Sequence, residues 1–186
     1  PNRLAAHDRD AVLTAYDELD GDPDKPLLNR ATQTRLPPGS TFKIVSASAA
    51  LEHGTVTPEQ RFNCSSFTVA GKTYTDVHKY GVLSVREILE HSSNVGMVQV
   101  GRTLSRETLR EAIVSFGFGR KTGVELRGER HGNITSLARM SGTSPGAMSI
   151  GYEVGVTALQ LAQAYGVLAN EGVLVPARIV LGTQDD

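Results

Sequence analysis

The stretch RLPPGSTFKIVSASAALEHG, residues 35–54, places a polar Ser-Thr-Phe-Lys step between a Pro-Pro-Gly brake and a largely apolar run. Pro37, Pro38 and Gly39 do not readily continue a helix from upstream, so the pattern predicts a helix beginning at or near Ser40. Phe42, Val45 and Ala49 fall on one side of it, with Ile44, Ala47 and Leu51 beside them. Gly54 is a natural stop. Ser40 and Lys43 are then one turn apart on one face, at the positive end of the helix, with Phe42 and Ile44 to bury them.

That arrangement suits covalent catalysis. A serine hydroxyl is a weak nucleophile until a base takes its proton, and a desolvated lysine is such a base. The helix N-terminus favours an alkoxide and disfavours an ammonium. The plainer reading is a serine N-cap followed by a solvated lysine, and S-x-x-K alone does not separate the two.

Bulk properties narrow the field. At 186 residues the chain fits one domain, residues 1–186, able to bury roughly 70% of its unfolded surface. A net charge of -1 offers neither a nucleic-acid groove nor a polybasic membrane patch. Cys64, the single cysteine, excludes an internal disulfide and a cysteine-based zinc site. No apolar run approaches the roughly 20 residues needed to cross a bilayer, and no signal-like start is present. The abrupt opening PNRLAAHDRD reads as a piece excised from something longer.

Helix dominates the rest. Residues 8–19 read as a modest helix, followed by the polar turn DGDPDKP. Residues 56–83 read as loop with a small hairpin in SFTVAG and KTYTDV. Ser84 and Glu87 form a capping box ahead of Ile88 and Leu89, and a second helix follows HSSN through Val95, Val98 and Leu104. Ser105 caps a helix burying Leu109, Ile113 and Val114. GFGRKTGVELRGERHGN is loop. Thr157 and Gln160 open the apolar helix TALQLAQAYGVLAN, stopped by Gly172, and the tail VLVPARIVL reads as the approach to a strand. No set of strands here makes a substantial sheet.

The second polar cluster is EHSSNVG, with Ser92 and Asn94 at S-x-N spacing between two helices. A serine there relays a proton, and an asparagine amide holds a lysine by its carbonyl and a substrate carbonyl by its NH2. An N-cap for the helix at Val95 is the plainer reading.

S-x-x-K opening a helix, then S-x-N about fifty residues on, resembles the serine penicillin-recognising enzymes. LLNRATQTRLPPGSTFKI, LSVREILEHSSNVGMVQVG, FGFGRKTGVELRGE and SIGYEVGVTALQLAQAYGVLANEGV are similar, in order, to the transpeptidase domain of class B penicillin-binding proteins. The resemblance implies the helical subdomain of an α+β penicillin-binding transpeptidase fold, mainly α here, with most of the central sheet absent. It implies Ser40 as acylated nucleophile, Lys43 as its base, Ser92 as relay, and Asn94 to orient Lys43 and bind the substrate amide. The Ser40 N–H would be one of two oxyanion donors. Implied partners are the D-Ala-D-Ala stem peptide of peptidoglycan, β-lactams, and a glycosyltransferase with other cell-wall machinery. The implied setting is the outer face of the bacterial cytoplasmic membrane, with the anchor outside this chain. No cofactor or metal is implied.

The chain departs from the family at the third motif, Lys-Thr/Ser-Gly on a central strand. Lys121-Thr122-Gly123 spells it, but in a glycine-rich loop ahead of the long helix rather than after it. The expectation is that this copy is a decoy, and that the chain alone is inactive. AGKTYT at 70–75 is not a phosphate loop, because Ser66 stands where its first glycine belongs, so Lys72 reads as a solvated loop residue. His7, His53, His78, His91 and His131 lack metal spacing and read as surface or capping residues. Cys64 reads as a partly buried loop residue with no paired histidine. Two other functions are open: a class D-like β-lactamase or β-lactam sensor, which shares S-T-F-K but carries Val where Asn94 stands, and a non-catalytic helical interaction module.

Overall fold

The computed structural model describes residues 8–180 together with Leu4 and Gly182. Eight α-helices are found among the described residues: α1 (Arg9–Asp20), α2 (Arg30–Gln33), α3 (Lys43–Glu52), α4 (Val85–Glu90), α5 (Asn94–Gly101), α6 (Arg106–Ser115), α7 (Ser144–Ser149) and α8 (Ala158–Ala169). The strands β1 (Arg61–Asn63), β2 (Phe67–Val69), β3 (Lys72–Tyr74), β4 (Val82–Ser84), β5 (Asn133–Ile134) and β6 (Val154–Gly155) form three antiparallel two-stranded ribbons, β1–β4, β2–β3 and β5–β6. The mainly helical expectation holds, and no larger sheet occurs among the described residues. No helix among them is long and apolar enough to cross a membrane.

Capping chemistry fixes the helix ends as the residue types require. Asp8 opens α1 by accepting from the Asp10 N–H, and Ser105 opens α6 by accepting from the Thr108 N–H. Reciprocal capping boxes open α4 through Ser84 and Glu87 and α8 through Thr157 and Gln160. At the end of α3, Thr55 N–H reaches Ala50 O and Gly54 N–H reaches Leu51 O, while Gly54 takes φ +62°. This doubly bonded glycine stop is the geometry that a left-handed residue permits.

α3 is the central element, packed by α4, α5, α6 and α7. Its Phe42 flank, Val45, Ala47 and Ala50 are buried with Val95, Met97, Val98 and Val100 of α5 and Leu109 and Ile113 of α6. The Phe42 ring tilts against Phe118, centroids 5.2 Å apart. Deleting either ring removes about 3–5 kcal/mol of stability.

Four expectations are corrected. The helix behind the proline brake starts as a 3₁₀ turn over Gly39–Phe42, and the α-helix begins only at Lys43. Leu104 lies past the end of α5. Lys72 sits on β3, its amine 4.9 Å from the Tyr74 ring centroid, rather than in a loop. Residues 173–180 form no strand, because no extended segment pairs with them among the described residues. Two short helices, α2 and α7, were not anticipated.

Candidate active site

The Ser40 turn is held from outside itself. Gly39 takes φ +58° and donates its N–H to Gly151 O at 3.3 Å. Gly151, at φ +79°, lies so close to this backbone that a Cβ on it would sit 2.6 Å from Gly39 N. Thr41 donates its hydroxyl to Pro38 O at 2.7 Å, and Tyr165 of α8 donates to Thr41 O at 2.9 Å. The Ser40 side chain is exposed, and its hydroxyl has no hydrogen-bond partner among the described residues. Ser40 is therefore no N-cap.

Nor is Lys43 a solvated lysine. It is 2% exposed, and its ammonium donates to Ser92 O and, at 3.0 Å, to Ser92 Oγ. Burial drives the amine down to about 8, against the opposing pull of the Asp76 carboxylate. An amine in that range is neutral often enough near neutral pH to accept a proton.

Ser92 occupies an unusual position. Ser93 N–H reaches Ile88 O and Ser92 N–H reaches Leu89 O, so Ser92 is the left-handed residue closing α4, at φ +54°. Glycine is the ordinary occupant of that position, and a serine there is strained. Such strain concentrates at functional sites. The cap of α5 is its neighbour Ser93, which accepts from Gly96 N–H at 2.9 Å. Neither Ser92 nor Asn94 is thus spent on capping by its side chain. The half-buried Asn94 amide makes no hydrogen bond to another described residue, and the bonds on the Lys43 amine come from Ser92 rather than Asn94.

Sequence reasoning missed Asp76. Its carboxylate accepts from Ser93 Oγ at 2.5 Å, from Asn94 N–H, and from Val95 N–H at 3.2 Å. No local pattern marks it, because its partners lie 17 to 19 residues away.

The Lys121-Thr122-Gly123 stretch is engaged elsewhere. Thr122 donates its N–H and hydroxyl to Glu129 Oε1 at 2.7 and 2.5 Å, and Gly123 N–H points at Glu129 Oε2 at 3.4 Å. Gln160 ties the same loop to α8 through Arg120 O and His131 O. Lys121 itself is exposed. Cys64 is fully rather than partly buried, 1% exposed, and burial pushes its thiol up. His53 and His91 close α3 and α4, and His91 stacks on Tyr80 at 5.2 Å. His7 lies outside the described residues. Among the described residues no cluster of His, Cys, Asp and Glu is arranged to hold a metal ion.

An exposed serine, a buried lysine one turn on, and a strained serine gripping that lysine make one constellation. The family described as penicillin-binding protein transpeptidase domain matches residues 4–185. The chain belongs to this family. Penicillin-binding protein PbpB of Mycobacterium tuberculosis is 35% identical over 163 residues, covering 86% of this chain and 24% of that protein. Peptidoglycan D,D-transpeptidase FtsI of Escherichia coli K12 is 32% identical over 161 residues, covering 87% and 27%. The transpeptidase domain of Burkholderia pseudomallei penicillin-binding protein 3 superposes with a TM-score of 0.80 at 30% identity, covering 84% of this chain and 48% of that one. Mycobacterium tuberculosis penicillin-binding protein 3, solved with aztreonam, superposes at 0.78 with 34% identity, covering 85% and 36%. The chain thus spans about a quarter of the length of these curated relatives and less than half of these solved transpeptidases.

Proposed function

We propose that this chain carries the nucleophile, base and relay of a peptidoglycan D,D-transpeptidase. The observation that carries the reading is the buried Lys43 amine, lowered to about 8 and held by Ser92, one turn from an exposed and unpartnered Ser40. Neutral Lys43 takes the Ser40 proton as Oγ attacks the penultimate D-Ala carbonyl carbon of a stem peptide. The peptide C–N bond breaks, and the terminal D-Ala leaves as an amine that receives a proton through Ser92. The amine of a neighbouring stem peptide then attacks the Ser40 ester, restoring the hydroxyl and forming the cross-link. Asn94, its amide uncommitted, binds the substrate amide. The Ser40 N–H, in the first turn where helix geometry leaves donors unmatched, faces the developing oxyanion.

β-Lactams acylate Ser40 by the same attack, as the aztreonam-bound relative supports. Relatives named peptidoglycan D,D-transpeptidase support a cell-wall role. As part of the same proposal, the site works outside the cytoplasmic membrane beside glycosyltransferase partners. In a full-length protein carrying this chain, fluorescent penicillin should add one adduct to the Ser40 peptide by mass mapping, and none in Ser40→Ala. Label persisting in the alanine variant would overturn the assignment.

A further inference from the structure

We propose that Asp76 is a positioning residue for this site, clamping the Ser92–Asn94 turn so that the Ser92 oxygens stay on Lys43. The inference rests on the reading of Lys43 as the base of Ser40.

Asp76 reaches the turn from the loop that follows the β2–β3 hairpin. Its two carboxylate oxygens engage three consecutive residues: Oδ2 takes the Ser93 hydroxyl, and Oδ1 takes the N–H groups of Asn94 and Val95. Those N–H groups are orphan donors of the first turn of α5, and a carboxylate there is favoured by the helix dipole as well as by hydrogen bonding. The bond to Ser93 Oγ is coupled to a second one, because that oxygen also accepts from Gly96 N–H at 2.9 Å. Ser93 is fully buried. One side chain thus fixes everything immediately downstream of Ser92.

Ser92 needs such support. Its left-handed backbone is one that a serine relaxes from when released, and relaxation would carry away both the carbonyl and the hydroxyl that hold Lys43. α5 cannot compensate by sliding. Gly96 and Gly101 bring it against Ile88 and Ser149 so closely that a Cβ at either would collide. On its α4 side the turn is held by the Ser92 and Ser93 N–H bonds to Leu89 O and Ile88 O, and on its α5 side Asp76 is the side chain that reaches in to hold it.

The negative charge has its own effect. The elements packed on α3 carry Arg86, Glu87 and Glu90 on α4 and Arg106, Glu107, Arg110 and Glu111 on α6, with no ionisable group on α5 or α7. Among the described charged groups, the Asp76 carboxylate is the one that pulls on the Lys43 amine, favouring the ammonium. Removing its charge while keeping its shape should therefore move the Lys43-controlled rise in acylation rate to lower pH.

Asp76→Asn and Asp76→Ala separate the two effects. Both are made in a full-length protein carrying this chain, and penicillin acylation rates are measured from about pH 6 to 10. Asp76→Asn keeps an acceptor for the two N–H groups, so its plateau rate should stay within about threefold of wild type while the rise shifts to lower pH. Asp76→Ala should lose about 10²-fold at the plateau, the scale of an ångström-level misplacement. Thermal melts accompany both variants, and Asp76→Asn with a native melt keeps the test decisive if Asp76→Ala unfolds. Wild-type plateau and unmoved profile in a folded Asp76→Asn, or a wild-type plateau in a folded Asp76→Ala, would sink the proposal while leaving Ser40 as the nucleophile. Failure of wild-type protein to label Ser40 takes down both readings.

Discussion

As the proposed base of Ser40, Lys43 can act only in its neutral form, and burial is what makes that form accessible near neutral pH. With the amine lowered to about 8, the neutral fraction at pH 7 is about a tenth, against less than a thousandth for a solvated lysine. The sign follows directly: acylation should rise with pH through about 8 and level off once the amine is neutral. Lys43→Arg keeps the charge but never releases its proton in this range. It should be nearly as damaging as Lys43→Ala, each costing about 10²-fold or more in acylation rate. Stopped-flow penicillin acylation across pH reads both effects. An arginine variant at wild-type rate would reduce Lys43 to an electrostatic residue. The candidate site residues were legible because S-x-x-K and S-x-N are local spacings. Asp76 was not, because its role exists only when a hairpin loop folds onto a helix start.

At the level of elements, the capped helix starts were readable to within a residue, since caps are local chemistry written in Asp8, Ser84, Ser105 and Thr157. The start of α3 was misplaced because the ties of the 39–42 turn come from Gly151 and Tyr165, which no local pattern can see. The β1–β4 ribbon escaped for the same reason, its strands being joined only through long-range pairing. Two glycines should therefore respond in opposite ways to alanine. Gly151→Ala forces a side chain into the backbone of Gly39 at a left-handed position, and should lower stability by about 1–3 kcal/mol while slowing labelling of Ser40. Gly166→Ala, in the exposed middle of α8 with open space around it, should raise stability by about 0.5–1 kcal/mol and leave labelling unchanged. Denaturant melts of the two variants check the pair; equal shifts of the same sign would contradict the packing described here.

For the molecule as a whole, many large apolar side chains are exposed. Leu36 is 64% exposed, and Tyr165, Leu168, Val173, Val175, Ile179 and Val180 are exposed on α8 and the segment after it. Groups of this kind promote association when left bare. The only Lys-Thr-Gly among the described residues is tied to Glu129 in a loop, so a second oxyanion donor and a carboxylate anchor are not in evidence beside Ser40. The 186-residue chain expressed alone should accordingly label at least 10²-fold more slowly than a full-length protein carrying it, and should self-associate on size-exclusion chromatography. Rapid stoichiometric labelling by a clean monomer would refute this and direct attention to Lys121. The hydrogen bond from Tyr165 to Thr41 has a consequence in time as well as in space. It joins positions 124 residues apart, so a ribosome making about 5–20 residues per second leaves the Ser40 turn without its α8 brace for about 6 to 25 s after Thr41 is made. During that interval the turn is a nascent segment awaiting its last tether. Acylation competence should therefore emerge late in synthesis, well after the helices around Lys43 have formed.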